Sequence, residues 1–282
     1  MTDYCTLDPK AASRAPSVRA NLLVLGILLA LIVLPSAAPA QSPDIDQLMR
    51  RVGTYVQGFV ETFSNVVADE RYEQRLAGRR RQLTSDFLLA AYPGSADRVL
   101  TFRDVREVDG QPVTDQSDRI TKLFLNPFES AIGRATEIQL AGLSHGLSGG
   151  RLVDPLGILA ILQPEYQGDF RFTRQGLDRT LGSDIRRIDL IRFRPIRTNQ
   201  PRGSVWVSET TGEVVRTQSR IDGARSERTT TTFEVDRELR IRVPVEMEDE
   251  IGDFRGRATY SNFRRFTVRT ESTIDATGST PR

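Results

Sequence analysis

Gly142-Leu143-Ser144-His145-Gly146 has the spacing G-x-S-x-G. In a nucleophile elbow that spacing sets a serine on a strained strand-to-helix turn, with a separate downstream histidine as its base. The flanking residues argue against that chemistry here. The segment before the motif is helical in pattern, and GLSGGR (Gly146 to Arg151) is no helix. His145, inside the motif, is the only histidine in the chain, so no second one completes a triad. The motif is therefore read as a false positive, a flexible Gly/Ser loop between helices.

Other constellations are as sparse. A single histidine excludes the usual histidine zinc sites, and the lone cysteine, Cys5, excludes thiolate ones, so no metal site is expected. Gly146 to Gly150 is not followed by Lys-Ser/Thr and is no phosphate loop. Carboxylates are plentiful at Asp69, Glu70, Asp86, Asp104, Glu107 and Asp109. Most are expected on wet faces, paired with arginine. A hydrolytic carboxylate pair stays open as an alternative, because its spacing is spatial rather than sequential. No cofactor is implied, and no arrangement compels an enzyme.

Composition narrows the class. Lys plus Arg number 39 against 37 Asp plus Glu, a formal net charge of +2, and lysine occurs only at Lys10 and Lys122. The arginines run along the whole chain among acidic residues, so a nucleic-acid partner is not expected. Near the N-terminus, Arg14 and Arg19 precede the 13 apolar residues Leu22–Leu34, and PSAAPA ends in the A-x-A pattern Ala38-Pro39-Ala40. A membrane span needs about 20 apolar residues, so residues 1–40 are read as a signal peptide cleaved after Ala40, with an uncleaved anchor as the alternative. Cys5 lies upstream of the apolar core, so the chain is not read as a lipoprotein. The expected product is periplasmic or secreted, with no membrane span and no disulfide.

These segments need elements to carry them. From Ser42, Ile45, Leu48, Met49, Val52, Tyr55, Val56, Phe59, Val60, Phe63, Val66 and Val67 keep the spacing of an amphipathic helix, with Ser42 as cap and Pro43 in the first turn, and the pattern changes only after Ala68. Strands follow, with turns at Gly78 and at Asp109-Gly110, a strong hairpin signal. Arg79, Arg80 and Arg81 fall at the first of these turns and are read as a solvated hairpin end. Residues 117–162 are helical in pattern, and the remainder is strand-like. In ELRIRVPVEMED, Leu239, Ile241, Val243, Val245 and Met247 alternate with charged residues; in DLIRFRP, Ile191 and Phe193 alternate with Arg192 and Arg194. Such alternation predicts an antiparallel sheet with one dry and one wet face. The fold class is α+β: a curved antiparallel sheet of roughly eight to eleven strands, an open half-barrel, covered by the N-terminal helix and a mid-chain helical insert. Residues 41–270 are expected to form one domain and 271–282 a disordered tail.

Three stretches carry a resemblance: VWVSETTGEVVRTQ (Val205 to Gln218), VPVEMED (Val243 to Asp249) and ATYSNFRRF (Ala258 to Phe266). An apolar-Trp-apolar strand running into a glycine turn, with a late Tyr-Ser-Asn-aromatic-Arg strand, resembles the lipoprotein-carrier (LolA-like) superfamily of periplasmic lipoprotein chaperones and the regulator RseB. Ser208 departs from the resemblance where Asp is common, and the chain is longer than a minimal carrier. The resemblance implies a half-barrel whose apolar face, lidded by helices, accepts acyl chains or a partner's lipidated end, with no shared catalytic residue. The expected function is thus a non-enzymatic carrier or binding protein for a hydrophobic ligand, a lipid or a lipidated protein. Its lining would include Phe87, Leu89, Phe102, Phe193, Val243 and Val245, unless these fill a solid core. A sensory or adaptor module binding another envelope protein is the alternative.

The hairpin around Trp206, the only tryptophan, has two possible registers. If Thr210-Thr211-Gly212 is a three-residue loop with Gly212 left-handed, Trp206 faces Arg216, Val207 pairs with Val215, and Trp206 lies outside while Val205, Val207 and Val215 share the dry face. If Glu209 joins the loop, Trp206 meets Val215 and faces the cavity. The first keeps more apolar residues together and is the expected one.

Overall fold

In the computed structural model, residues 45–63, 66–92, 95–113, 137–149, 153–192, 202–221 and 226–265 are described, with the backbone alone for 89–92 and 95–100. The chain divides into Met1–Ser42 and Pro43–Arg282, and every described residue belongs to the second unit. The expected signal peptide, the Ser42 cap with Pro43, and the expected tail therefore lie outside the described residues.

Helix α1 (Ile45–Phe63) buries Leu48, Met49, Val52, Val56, Phe59 and Phe63 along one stripe, whereas Val66 and Val67, to which the spacing extends the helix, open the first strand instead. Its spacing leaves the other side to polar residues, and removing an apolar side chain of this size from water contributes about 1.5–3 kcal/mol each. Phe59 and Phe63 stack with ring centroids 5.0 Å apart.

The strands β1 (Val66–Leu76), β2 (Arg79–Tyr92), β3 (Ser95–Val108), β4 (Gln111–Pro112), β5 (Phe170–Leu177), β6 (Ile185–Arg192), β7 (Arg202–Ser208), β8 (Val214–Ile221), β9 (Glu227–Val235), β10 (Arg242–Ile251) and β11 (Phe254–Arg265) form one sheet. Its order is β4-β3-β2-β1-β11-β10-β9-β8-β7-β6-β5, and every pairing is antiparallel. Strands β4 and β5 are its two edges, so the sheet is open. Ala77-Gly78 and Asp109-Gly110 turn with both residues at positive φ, 48° and 78°, and 52° and 78°. Those are the angles that two-residue hairpins require. Of the mid-chain helical region, residues 137–144 are helical, and α2 (Gly157–Leu162) and α3 (Pro164–Gln167) follow.

The dry face of the sheet meets these helices in one apolar core. It joins Leu48, Val52, Phe63, Leu162, Val205 and Met247 with Phe87, Val105, Ile188 and Phe233. Alternation locates this face in most strands; Leu239, Ile241, Val243, Val245 and Met247 all pack in or against the core, though not as one regular strand, and on β6 the alternation fails. Leu239 and Ile241 precede β10, in a turn closed by Arg240 N donating to Asp236 O. Within β10 a bulge falls between Pro244, opposite Phe233, and Glu246, opposite Thr232. Pro244 has no N–H for the ladder, so the strand steps by one there. On β6 the dry residues are Ile188 and Leu190, whereas Ile191 is 41% exposed on the other face. Ile188 stands opposite Val205 and Leu190 opposite Gly203. A Cβ on Gly203 would come within 3.0 Å of Leu190 and 3.1 Å of Ile158, so glycine lets this part of the sheet close onto α2.

Candidate functional site

Where β1, β2, β3, β10 and β11 turn their inner side chains toward one another, the dry face carries a polar cluster. Glu70, Tyr72 and Gln74 alternate inward on β1 with Ala68. Arg103 of β3 reaches across β2 and donates from Nε and Nη2 to the two carboxylate oxygens of Glu70, the Nη2 bond measuring 2.6 Å. The guanidinium lies 5.1 Å from the Tyr72 ring centroid. Tyr72 donates its hydroxyl to Asp249 Oδ1 at 2.9 Å, from one buried residue to another. Tyr260, opposite Glu70, hydrogen-bonds that carboxylate and packs its ring 5.0 Å from Phe87.

Two carboxylates, Glu70 and Asp249, thus face one guanidinium inside an apolar layer. Burial opposes the charge of Arg103, but attraction and hydrogen bonding to Glu70 outweigh it and raise its pKa. Asp249 is pushed up to about 6, by burial first and by the nearby Glu70, against the pull of the Tyr72 bond and Arg103. Its second oxygen, Oδ2, accepts no hydrogen bond among the described residues. Burial, then the neighbouring carboxylates, also raise the phenols of Tyr72 and Tyr260. Gly256 makes the cluster possible. It stands opposite both Asp249 and Gln74, and a Cβ there would lie 2.0 Å from Asp249 Oδ1 and 2.7 Å from the Tyr72 hydroxyl.

A loop made by the G-x-S-x-G residues closes over this cluster. Ser144 ends the 137–144 helical segment and donates its hydroxyl back to Ala141 O at 2.6 Å, so it occupies no strand-to-helix elbow. The two glycines have packing roles. A Cβ on Gly142 would be 3.1 Å from the carbonyl of Arg103, and one on Gly146 would be 3.1 Å from Gln74. Leu147 N donates to Gln74 Oε1 at 2.5 Å, and Arg81 donates to the carbonyl of His145 at 2.8 Å. The opening left among Tyr72, Gln74, Arg103, Gly142 and Gly146 holds about 10 Å³. That is no more than the space for one water.

The residues expected to line a cavity are not gathered in one place. Phe87 and Val243 lie in the dry-face core, each 2% exposed, and Val245, at the bulge, is half-buried against it. Phe102 stands opposite Leu88, so it points to the face away from Phe87. Leu89 has only its backbone described, and Phe193 lies outside the described residues. The acidic residues divide differently from expectation. Asp69 and Asp86 share Arg106 and Arg264 on the outer face, whereas Glu70, expected on a wet face, is 0% exposed on the dry one. Among the described residues, no group of three or more His, Cys, Asp or Glu is arranged to hold a metal.

The tryptophan hairpin takes the expected pairing at its centre. Trp206 faces Arg216, and Gly212 is left-handed at φ 78°. A bulge beside it sets Val207 opposite Val214 rather than Val215. Val214 therefore joins the dry face, and Val215 joins Trp206 and Ile185 in a small outer cluster. Trp206 lies between Arg187 and Arg216, 5.7 and 6.0 Å from its ring, and donates Nε1–H to Asp178. The hydroxyl of Ser208 donates to Asp184 and accepts from Thr211 N, closing the turn. A Cβ on Gly212 would meet the backbone of Arg51 at 2.6 Å, so the turn abuts α1.

No family model matches the chain, and no curated protein does. The chain is similar to solved structures. One is a DUF1329 family protein from Desulfovibrio piger, at 12% identity over 84% of this chain and 96% of that one, with a TM-score of 0.45. A second is an outer membrane lipoprotein-sorting protein domain from Vibrio parahaemolyticus, at 9% identity over 81% and 96%, with a TM-score of 0.48. A third is a LolA superfamily protein from Nitrosomonas europaea, at 13% identity over 78% and 94%, with a TM-score of 0.37. At 9–13% identity the likeness is one of outline and assigns no residue a role.

Proposed function

We propose that the protein is a non-enzymatic carrier or binding protein of the bacterial envelope for a ligand with an acyl chain and a polar head. The observation that supports this reading is the cover on the dry face. A sheet of eleven strands has its apolar side closed by an amphipathic helix and short helices, with no second sheet against it among the described residues. Helix α1 is seated by a stripe of Leu, Met, Val and Phe, contacts that an acyl chain can replace without leaving a hydrogen bond unmade. Beside this floor, Asp249 and Tyr72 supply buried polar groups for the head of such a ligand. An envelope location follows from the proposed signal peptide. Among the described residues, no helix is long and apolar enough to cross a membrane.

Solvent extraction and native mass spectrometry of the purified protein test the reading. The expected result is a co-purifying acyl species, together with enhanced fluorescence of an environment-sensitive fatty-acid probe that unlabelled fatty acid reverses. Protein that carries no acyl species and leaves the probe unchanged overturns it.

A further inference from the structure

The outer face of the sheet collects arginines that are dispersed in sequence. Cross-strand partners place Arg202 opposite Arg220 and Arg220 opposite Arg228. The same row continues from Arg228 to Glu250, from Glu250 to Arg255, from Arg255 to Arg75 and from Arg75 to Arg80. On the other side it runs from Arg202 to Ile191 and from Ile191 to Arg171. The row crosses nine neighbouring strands and holds seven arginines and one carboxylate. All seven arginines are exposed. Glu250 is shared by Arg228 at 3.7 Å and Arg255 at 3.3 Å. At about 4.8 Å per strand the row is about 38 Å long. Much of the row borders two outer-face grooves of about 540 and 340 Å³ that meet at Gln218.

Like charges placed directly opposite one another across a sheet destabilise it. A row of them in a chain whose formal net charge is only +2 is a local feature that folding alone does not favour. Its position is equally specific. Arg220 and Arg228 flank the β8–β9 connection, Glu250 and Arg255 flank the β10–β11 turn, and Arg75 and Arg80 flank the Ala77-Gly78 turn. The basic band thus lies at one end of the sheet. It is one row deep: the next outer row holds Asp189, Glu248 and Glu73 against Arg257 alone. A nucleic-acid duplex, whose major groove alone is about 12 Å wide, would lay its phosphates over those carboxylates. A plane of phosphates meeting the sheet at that end would touch the arginines and leave the acidic row clear.

We infer that this arginine row docks the protein on a bilayer that carries anionic phospholipid, with the guanidiniums taking the lipid phosphates in the forked geometry that arginine favours. The row converts Arg80 from a solvated hairpin end into part of a binding surface. It stands apart from the dry face, so docking does not depend on what the dry face carries.

Vesicle co-sedimentation of the full chain tests this, using phosphatidylcholine with about 30% phosphatidylglycerol against phosphatidylcholine alone, at about 0.1 M salt. Any contribution of the N-terminal apolar segment is common to every variant. The triple variant R202Q/R220Q/R228Q should partition about 100-fold more weakly onto the anionic vesicles, from about fivefold per arginine. The charge-matched triple R71Q/R187Q/R257Q, off the row, should lose at most about tenfold through the general field. R75Q/R80Q, at the far end of the row, should also weaken binding, and circular dichroism should show all three variants folded. Equal losses from the two triples would mean that only net charge is read, and would overturn the inference. So would equal partition of the wild type onto both kinds of vesicle. Row-dependent capture of polyphosphate or single-stranded DNA without vesicle binding would also overturn it, in favour of a soluble polyanion.

Discussion

Arg103 and Arg257 each reach a glutamate across the sheet at nearly the same distance, on opposite faces. Arg103 Nη2 lies 2.6 Å from Glu70, and Arg257 Nη2 lies 2.7 Å from Glu246. The side chains of the first pair are 8% and 0% exposed, and those of the second 62% and 32%. The Nη2 contact is therefore alike in the two pairs, Arg103 adds a second bond from Nε, and the larger difference is the solvent. On the dry face each partner depends on the other for the hydration it has lost; on the outer face water can replace either one. The same contrast in burial separates the polar cluster, sealed inside the dry face, from the arginine row, whose side chains are exposed.

The largest effect should follow from breaking the buried pair. Arg103→Met leaves the Glu70 carboxyl group in an apolar layer without its cation, and urea unfolding should show a loss of about 3–5 kcal/mol. The double variant Glu70→Leu/Arg103→Met removes both charges and should recover most of that loss, since a well-packed apolar pair serves a buried site as well as an ionic one. A single variant that unfolds within about 1 kcal/mol of wild type would show that water reaches Glu70, and the distinction between the faces would fail.

Asp249 sharpens the contrast through pH. Its folded pKa, about 6, is above the ordinary 3.8, so between these values the native state holds a proton that the unfolded chain has released. Stability from this group is thus fully present below about pH 4 and declines as pH rises to about 6, by about 3 kcal/mol in all. Asp249→Asn keeps an acceptor for the Tyr72 hydroxyl and cannot ionise. It should be more stable than wild type at pH 7 by an amount approaching that figure, with the decline between pH 4 and 6 removed. A wild type whose unfolding midpoint is flat across that window would place Asp249 in contact with solvent.

Periodicity made the sheet, α1 and the hairpin turns legible, because a dry and a wet face each impose their spacing on every strand. It misjudged places where one residue shifts the phase. Pro244 forces a bulge in β10, the bulge beside Trp206 exchanges the roles of Val214 and Val215, and Ile191 sits one step out of line with Ile188 and Leu190. The polar cluster was hidden for a different reason. Glu70 falls among the carboxylates expected on wet faces, because the cation, the carboxylate and the hydroxyl that complete its cluster come from β3, β10 and β11. The signal available in the sequence was a parity conflict. Ala68, Glu70, Tyr72 and Gln74 share one face, and the only way for Tyr72 to be buried is to bury its polar neighbours too. Trp206 is held outside by Arg187 of β6, Arg216 of β8 and Asp178 of the β5–β6 connection, and these neighbours account for its position.

The smallest effect belongs to the outer pair. Arg257→Gln removes a guanidinium that water already surrounds, and the melting temperature should stay within the scatter of repeated scans. Its surroundings also soften the loss, since Glu246 remains solvated and the substituted amide can still donate to it. The informative companion is Arg220→Gln, in which a charge flanked on both sides by arginine is removed. Relief of that repulsion offsets the contact the side chain loses, so the melting temperature should fall far less than for Arg103→Met, and less at low salt than at high salt, where the row is screened. A drop at Arg220 as large as the one at Arg103 would mean that the outer arginines hold the sheet together, rather than being held by it.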